Sequence, residues 1–144
     1  MTELPAPDST ELADRIRARG LPEAMVTIAT KGGAVIHPAL RGQADAVNAR
    51  GWSVARRHPQ WVPLWSTGTM VTMVGPDGSL ARWSVELSDE SLRTYTGLAD
   101  ALRNLLTDLW ELDEDDTGAG DRRSIAEALL PREAVPGALT PIQR

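Results

Sequence analysis

Leucines recur at steps of four and three residues along the segment 96–112, which is the spacing of one buried face of a helix. The repeat consists of Leu98, Leu102, Leu105, Leu109 and Leu112. Charged and polar residues fill most of the intervening positions. The pattern therefore predicts a core helix laid across a sheet.

Between residues 61 and 87 the pattern shortens to the period of a β-strand. Residues 61–65 are expected to be extended, and residues 70–74 and 80–87 are predicted strands. Pro76-Asp77-Gly78 lies between the two strands and predicts a tight turn, because proline fixes φ and glycine accepts a positive φ. This β-hairpin is the best-specified local element of the chain.

The N-terminal third contains one clear helix and one ambiguous segment. A helix capped by Asp8 or Ser9 is expected to end at Gly20. Residues 21–33 fit two structures. Pro22 suits the first turn of a helix, whereas the β-branched run that follows and Lys31-Gly32-Gly33 would suit a hairpin.

Shorter helices are predicted at 43–50, ended by Gly51, and at 124–130, ended by Pro131. Residues 1–8 and 131–144 are expected to be flexible, which leaves 9–130 as a single α+β domain. The predicted architecture is a central, mostly antiparallel sheet with helices packed on one side and around its ends.

Composition narrows the functional classes. The 144 residues contain no cysteine, which excludes disulfides, thiolate zinc sites and cysteine nucleophiles. The formal net charge of −5 argues against a nucleic-acid partner held through its phosphates. No apolar run approaches the roughly 20 residues of a membrane helix, so we expect a cytoplasmic protein without a membrane partner.

The chain shows no recognisable catalytic or metal-binding pattern. His37 and His58 each precede a proline and lack a carboxylate at helical spacing. The acidic loop at 113–121 resembles a calcium loop, but Ser124 occupies the position that needs a bidentate glutamate. We therefore predict no catalytic residues, no metal and no cofactor.

Three segments together resemble the SUKH superfamily, which includes bacterial toxin-immunity proteins and fungal cell-wall regulators. Leu21-Pro22-Glu23 leads into a segment ending at Gly32-Gly33, residues 61–83 resemble the family's central sheet and hairpin, and residues 96–106 resemble its closing helix. The resemblance covers residues 9 to about 112. It implies an α+β fold, no catalysis and a function in binding another protein, with no fixed site residues.

The leading functional hypothesis is thus a non-catalytic, protein-binding domain, an immunity protein that neutralises a toxin domain. Because many nuclease toxins have basic grooves, an acidic face would both steer and compete for binding. The predicted partner-binding residues are Glu111, Asp113, Glu114, Asp115, Asp116, Trp61 and Trp65. The two tryptophans would act as anchors through exposed edges.

The alternative is a small-molecule-binding or enzymatic α+β domain with a pocket lined by tryptophan and methionine. Its residues would be Trp65, Met70, Met73 and Trp83. The predicted hairpin places Met70 and Trp83 within reach of each other, with Met73 on the opposite face from Met70. Core packing would explain the same residues without a ligand.

Overall fold

The structure, a computed structural model, describes residues 9–40, 44–84, 86, 91–111 and 119–139. The helices are α1 (Ser9–Ala18), α2 (Glu23–Lys31), α3 (Ala49–Ala55), α4 (Leu98–Glu111), α5 (Ala119–Leu129) and α6 (Val135–Leu139). The strands are β1 (Val62–Thr67), β2 (Met70–Val74), β3 (Leu80–Ser84) and β4 (Arg93–Tyr95). Together they confirm the predicted α+β class.

The four strands form one open antiparallel sheet in the order β1-β2-β3-β4. Directly paired residues share a face, so Thr72 lies with its partners Trp65 and Arg82 on one side. Val71 and its partner Trp83 lie on the other side. We call these two sides the α4 face and the α3 face, after the helices that cover them.

Helices pack against both faces of the sheet. On the α4 face, Ala101 and Leu105 of α4 lie over Trp65. On the α3 face, Gly51 of α3 lies against Val71. The predicted antiparallel sheet is therefore present, but its helices are not confined to one side.

The predicted hairpin is confirmed, with Gly78 at φ 85° in its turn. Strand β3 is described as far as Ser84, and the predicted strand residues Val85 and Leu87 lie outside the described residues. The leucine-patterned helix is also confirmed as α4, in which Leu102, Leu105 and Leu106 are buried. Leu112 lies beyond the described part of this segment.

The ambiguous segment 21–33 is helical. Its apolar residues, Met25, Val26, Ile28 and Ala29, are all buried, and burial of this face outweighs the weak strand preference of β-branched residues. Gly32 ends the helix at φ 95° and donates its N–H to the carbonyl of Ile28. Gly33 then donates its N–H to the carbonyl of Ala44 over 2.6 Å.

The predicted helix at 43–50 is wrong. The helix in this region is α3, which begins at Ala49 and contains Gly51 in its interior. Asn48 caps it by accepting the Gly51 N–H on its side-chain oxygen at 2.9 Å. Upstream, Asp45 forms a two-hydrogen-bond β-bridge with Ser66, so this stretch lies along the outer edge of β1.

The C-terminal segment also departs from prediction. Residues 131–139 were expected to belong to a flexible tail, but they form a 3-10 turn (Arg132–Ala134) and α6. Val135 and Ala138 are 5% and 2% exposed, because α6 packs against α4 and α5. Among the described residues, no helix has both the length and the apolar character needed to cross a membrane.

Candidate functional site

The predicted acidic patch lies in the chain between α4 and α5. Glu111 is the last residue of α4, and Asp113, Glu114, Asp115 and Asp116 lie outside the described residues. We call residues 111–116 the acidic segment. Carboxylates in this position oppose the helix macrodipole, whose C-terminal end is negative. Stabilisation of α4 therefore does not account for them.

Trp65 is wrong as a surface anchor. Its side chain is 3% exposed and lies beneath α4 next to Thr72 and Asn104. The space around the Trp65 side chain contains no cavity large enough for a water molecule. Trp65 therefore belongs to the core rather than to a partner-binding surface.

Trp61 is partly buried and remains a candidate anchor. Its ring packs edge-to-face on Trp83, with centroids 4.7 Å apart. The ring also lies so close to Gly75 that a Cβ there would be 2.9 Å from Trp61 Cη2. Because Trp83 lies on the α3 face, Trp61 and α4 lie on opposite sides of the sheet. The predicted anchor and the helix carrying the acidic segment are thus on different faces.

The alternative tryptophan and methionine pocket is wrong as a single site. Met70 pairs with Ser84 and lies on the α4 face, whereas Trp83 pairs with Val71 on the α3 face. Met73 shares the face of Trp83 and is fully buried. The four proposed lining residues are therefore divided by the sheet.

A polar contact links the edge strand β4 to α4. Arg93 donates from Nη1 to Oδ1 of Asn104 over 2.6 Å, and its guanidinium lies 5.6 Å from the centroid of the Tyr95 ring. Asn104 and Tyr95 are 5% and 4% exposed. The Arg93 side chain is held by one neutral acceptor and one aromatic face, and this contact joins β4 to α4.

Two surface grooves are lined by described residues. The first, of about 540 Å³, lies between α5 and α6 and includes Arg123 and Glu127, which form an ion pair at 3.9 Å. The second, of about 430 Å³, lies between the C-terminal half of α1 and the β2–β3 turn. We call it the arginine groove; its lining residues are Arg15, Ala18, Arg19, Val62, Pro76, Asp77 and Gly78.

The arginines of α1 and of the turn that follows it have different environments. Arg17 is exposed and forms a bidentate ion pair with Glu23, including an Nε to Oε2 hydrogen bond of 2.9 Å. The hydrogen bonds from Arg17 lower the pKa of Glu23, and those to Glu23 raise the pKa of Arg17. Arg15 and Arg19 instead face the groove, where Arg19 donates from Nη2 to the carbonyl of Gln60 over 2.8 Å.

Asp77 forms the opposite wall of the arginine groove. Its Oδ1 accepts hydrogen bonds from the Ser79 hydroxyl at 2.6 Å and the Ser79 backbone N–H at 3.0 Å. These bonds, the hydroxyl first, lower the pKa of Asp77, so its carboxylate is charged at neutral pH. The sequence patterns did not indicate this groove, because α1 and the β2–β3 turn are far apart in the chain. The four-residue spacing of Arg15 and Arg19 was the available signal.

The chemistry of these sites is that of charged and aromatic contact surfaces. Across the described ranges, no three His, Cys, Asp or Glu side chains come close enough together to hold a metal ion. His58 packs against Trp83 with ring centroids 5.3 Å apart. When the chain was compared with protein-family models, curated proteins and solved structures, none of the three comparisons returned a match.

Proposed function

We propose that the protein is a cytoplasmic, non-catalytic binding domain, specifically an immunity protein of the SUKH kind that neutralises a basic bacterial toxin domain. The observation that carries the proposal is the acidic segment, with five carboxylates among six residues. A concentration of like charge speeds association with an oppositely charged partner and competes with an anionic substrate for a basic groove.

The position of the segment adds support. It begins at the C-terminal end of α4, where carboxylates are unfavourable for the helix itself. Charge that does not stabilise its own helix is available to stabilise a complex. The surrounding elements are packed: α4, α5 and α6 contact one another, so the segment connects two helices of one packed layer.

The fold supports the same proposal. The segments that resemble the SUKH superfamily form a helix after Leu21-Pro22, an antiparallel hairpin with the turn at Pro76–Ser79, and the helix α4. Their order along the chain is the order that the resemblance implies. Gly33 adds a structural reason for the paired glycines, because its close approach to the carbonyl of Ala44 leaves no room for a side chain.

The test starts with capture of the partner on immobilised protein from a lysate of the source bacterium at low salt. The captured protein is identified by mass and expressed with and without the chain. We expect a toxic domain with a basic surface whose toxicity is suppressed by co-expression. A captured protein that is not toxic, or whose toxicity co-expression leaves unchanged, would contradict the proposal.

A matched pair of variants then tests the acidic segment. Asp115→Asn with Asp116→Asn should slow association with the captured toxin domain severalfold at low salt and flatten its salt dependence. Glu127→Gln with Glu133→Gln removes the same charge from exposed positions in another region and should leave the rate close to wild type. Equal effects of both pairs would show that only net charge matters and would remove the segment from the interface.

A further inference from the structure

Arg15 is a partly buried arginine for which the described residues provide no hydrogen-bond or ion-pair partner. Its neighbour Arg17 shows the usual arrangement, since it is bound to Glu23 and Asp14. A guanidinium has five N–H donors and remains charged at all physiological pH values. The donors of Arg15 are therefore available to a ligand in the arginine groove.

Arg19 is held in place next to it. Arg19 directly follows the last residue of α1, and its side chain lines the groove together with that of Arg15. The hydrogen bond from Arg19 Nη2 to the Gln60 carbonyl fixes one end of its guanidinium and leaves the remaining donors for other acceptors. A side chain that is already ordered loses less conformational entropy on binding.

The opposite wall sets the charge of a suitable ligand. Asp77 lines the groove but lies beyond ion-pair distance of both arginines, and its Oδ1 is bound by Ser79. Two guanidinium groups and one carboxylate leave one positive charge in excess, which matches a single carboxylate. A phosphate, with a charge of about −1.5 to −2, would experience stronger repulsion from Asp77.

Apolar surface adjoins the charged groups. The side chains of Ala18, Val62 and Pro76 line the groove. Arginine is among the residues most enriched at the energetic centres of protein interfaces. The surface therefore suits an acidic side chain carried by a polypeptide with apolar neighbours.

We propose that the arginine groove binds a glutamate or aspartate side chain of an acidic segment in a partner protein, with Arg15 and Arg19 holding the carboxylate and an adjacent apolar residue packing against Ala18 and Pro76. This surface is distinct from the acidic segment of the chain, and the proposal does not depend on the proposed immunity function. It goes beyond that function by giving the protein a second contact of opposite charge.

The probe is the blocked pentapeptide Ac-Gly-Leu-Glu-Leu-Gly-NH2, titrated against the full chain while the arginine Nε–H resonances are followed by NMR. We expect saturable shifts at Arg15 and Arg19. The Gln-containing counterpart of the peptide should bind at least about threefold more weakly, as expected for loss of a partly exposed charge pair. Equal binding of the two peptides would overturn the proposal, as would the absence of shifts at the groove.

Three variants separate specific binding from a general charge effect. Arg15→Gln should weaken binding of the Glu peptide by about threefold or more, whereas Arg17→Gln on the same helix should leave it unchanged. Asp77→Asn should strengthen binding, because it removes the repelling charge while its amide oxygen can still accept from Ser79. A misfolded variant would not bind the peptide more tightly, so tighter binding by the Asp77→Asn variant could not result from a loss of stability.

Inorganic phosphate is titrated as the competing anion. The proposal predicts weaker shifts with phosphate than with the Glu peptide in the wild-type chain. Tight phosphate binding with no response to the peptide would overturn it and identify the groove as a phosphate site. Equal losses in the Arg15 and Arg17 variants would overturn it by showing attraction to net charge alone.

Discussion

Gly51 of α3 lies so close to Ser66 of β1 that a Cβ atom at position 51 would be 2.8 Å from the Ser66 Oγ. Gly51 is buried within the helix, and Ser66 is 1% exposed. The absence of a side chain at this position lets α3 approach the sheet. Glycine here acts as a packing residue rather than as the helix terminator that the sequence suggested.

Gly51→Ala should therefore destabilise the protein. Alanine favours a helix interior by about 1 kcal/mol over glycine, but overpacking a tight contact costs about 1–3 kcal/mol. We expect a net loss of about 1 kcal/mol in the free energy of unfolding, measured by urea denaturation. Gly137→Ala in α6 is the matched control, because a Cβ there meets nothing within 4 Å, and it should be neutral or stabilising.

Gly33→Ala should cost more than Gly51→Ala. A Cβ at position 33 would lie 2.8 Å from both the backbone carbonyl oxygen of Ala44 and the Cβ of Leu40, and neither group can rotate away. We expect a loss of about 2–3 kcal/mol in unfolding free energy. Gly97→Ala, with no atom within 4 Å of the new Cβ, should have little effect, and similar losses at both positions would contradict the packing argument.

The carboxylate of Asp77 should titrate below its usual value of 3.8, because the Ser79 hydroxyl and backbone N–H stabilise its charged form. Because the pKa of Asp77 is lower in the folded than in the unfolded protein, its ionised carboxylate stabilises the fold at pH values above the unfolded-state pKa. This contribution to the free energy of unfolding is lost as the pH falls through the folded-state pKa. Ser79→Ala should shift the midpoint upward toward 3.8, measured by NMR titration of the Asp77 side-chain carbon. The exposed Ser53→Ala should leave it unchanged.

The C-terminal helix should contribute to global stability. Val135→Asp places a charge at a site that is 5% exposed, so we expect a loss of several kcal/mol in unfolding free energy. Gly137→Asp introduces the same side chain at an exposed position of the same helix and should cost much less. Equal stability of the two variants would mean that α6 does not belong to the cooperative unit.

Elements that neighbouring residues determine were predictable from the sequence, and elements that depend on distant contacts were not. The leucine spacing determines α4, and the Pro-Asp-Gly sequence determines the hairpin turn. The position of α3 depends instead on the cap at Asn48 and the contact of Gly51 with β1. Strand β4 has only three residues, two of them exposed and polar, so no alternation marks it.

The candidate site was predictable only in part. The acidic segment is recognisable in the sequence as a run of Asp and Glu residues, and its position after α4 follows from the leucine spacing of that helix. The burial of Trp65 could not be read from the sequence, because strand register decides which face an aromatic residue occupies. The arginine groove depends on the approach of α1 to the β2–β3 turn, and these two elements are far apart in sequence.

The bridge between Asp45 and Ser66 makes the two ends of the sheet unequal. Backbone groups of Ser66 are already used at the β1 end, whereas in the described part of the chain β4 has a paired strand on one side only. Growth of the sheet by an added strand, including the growth that begins a fibril, would therefore start beside β4. The shortness of β4 and the charge of Arg93 oppose that growth, so replacing Arg93 with an uncharged β-branched residue would increase the tendency to aggregate.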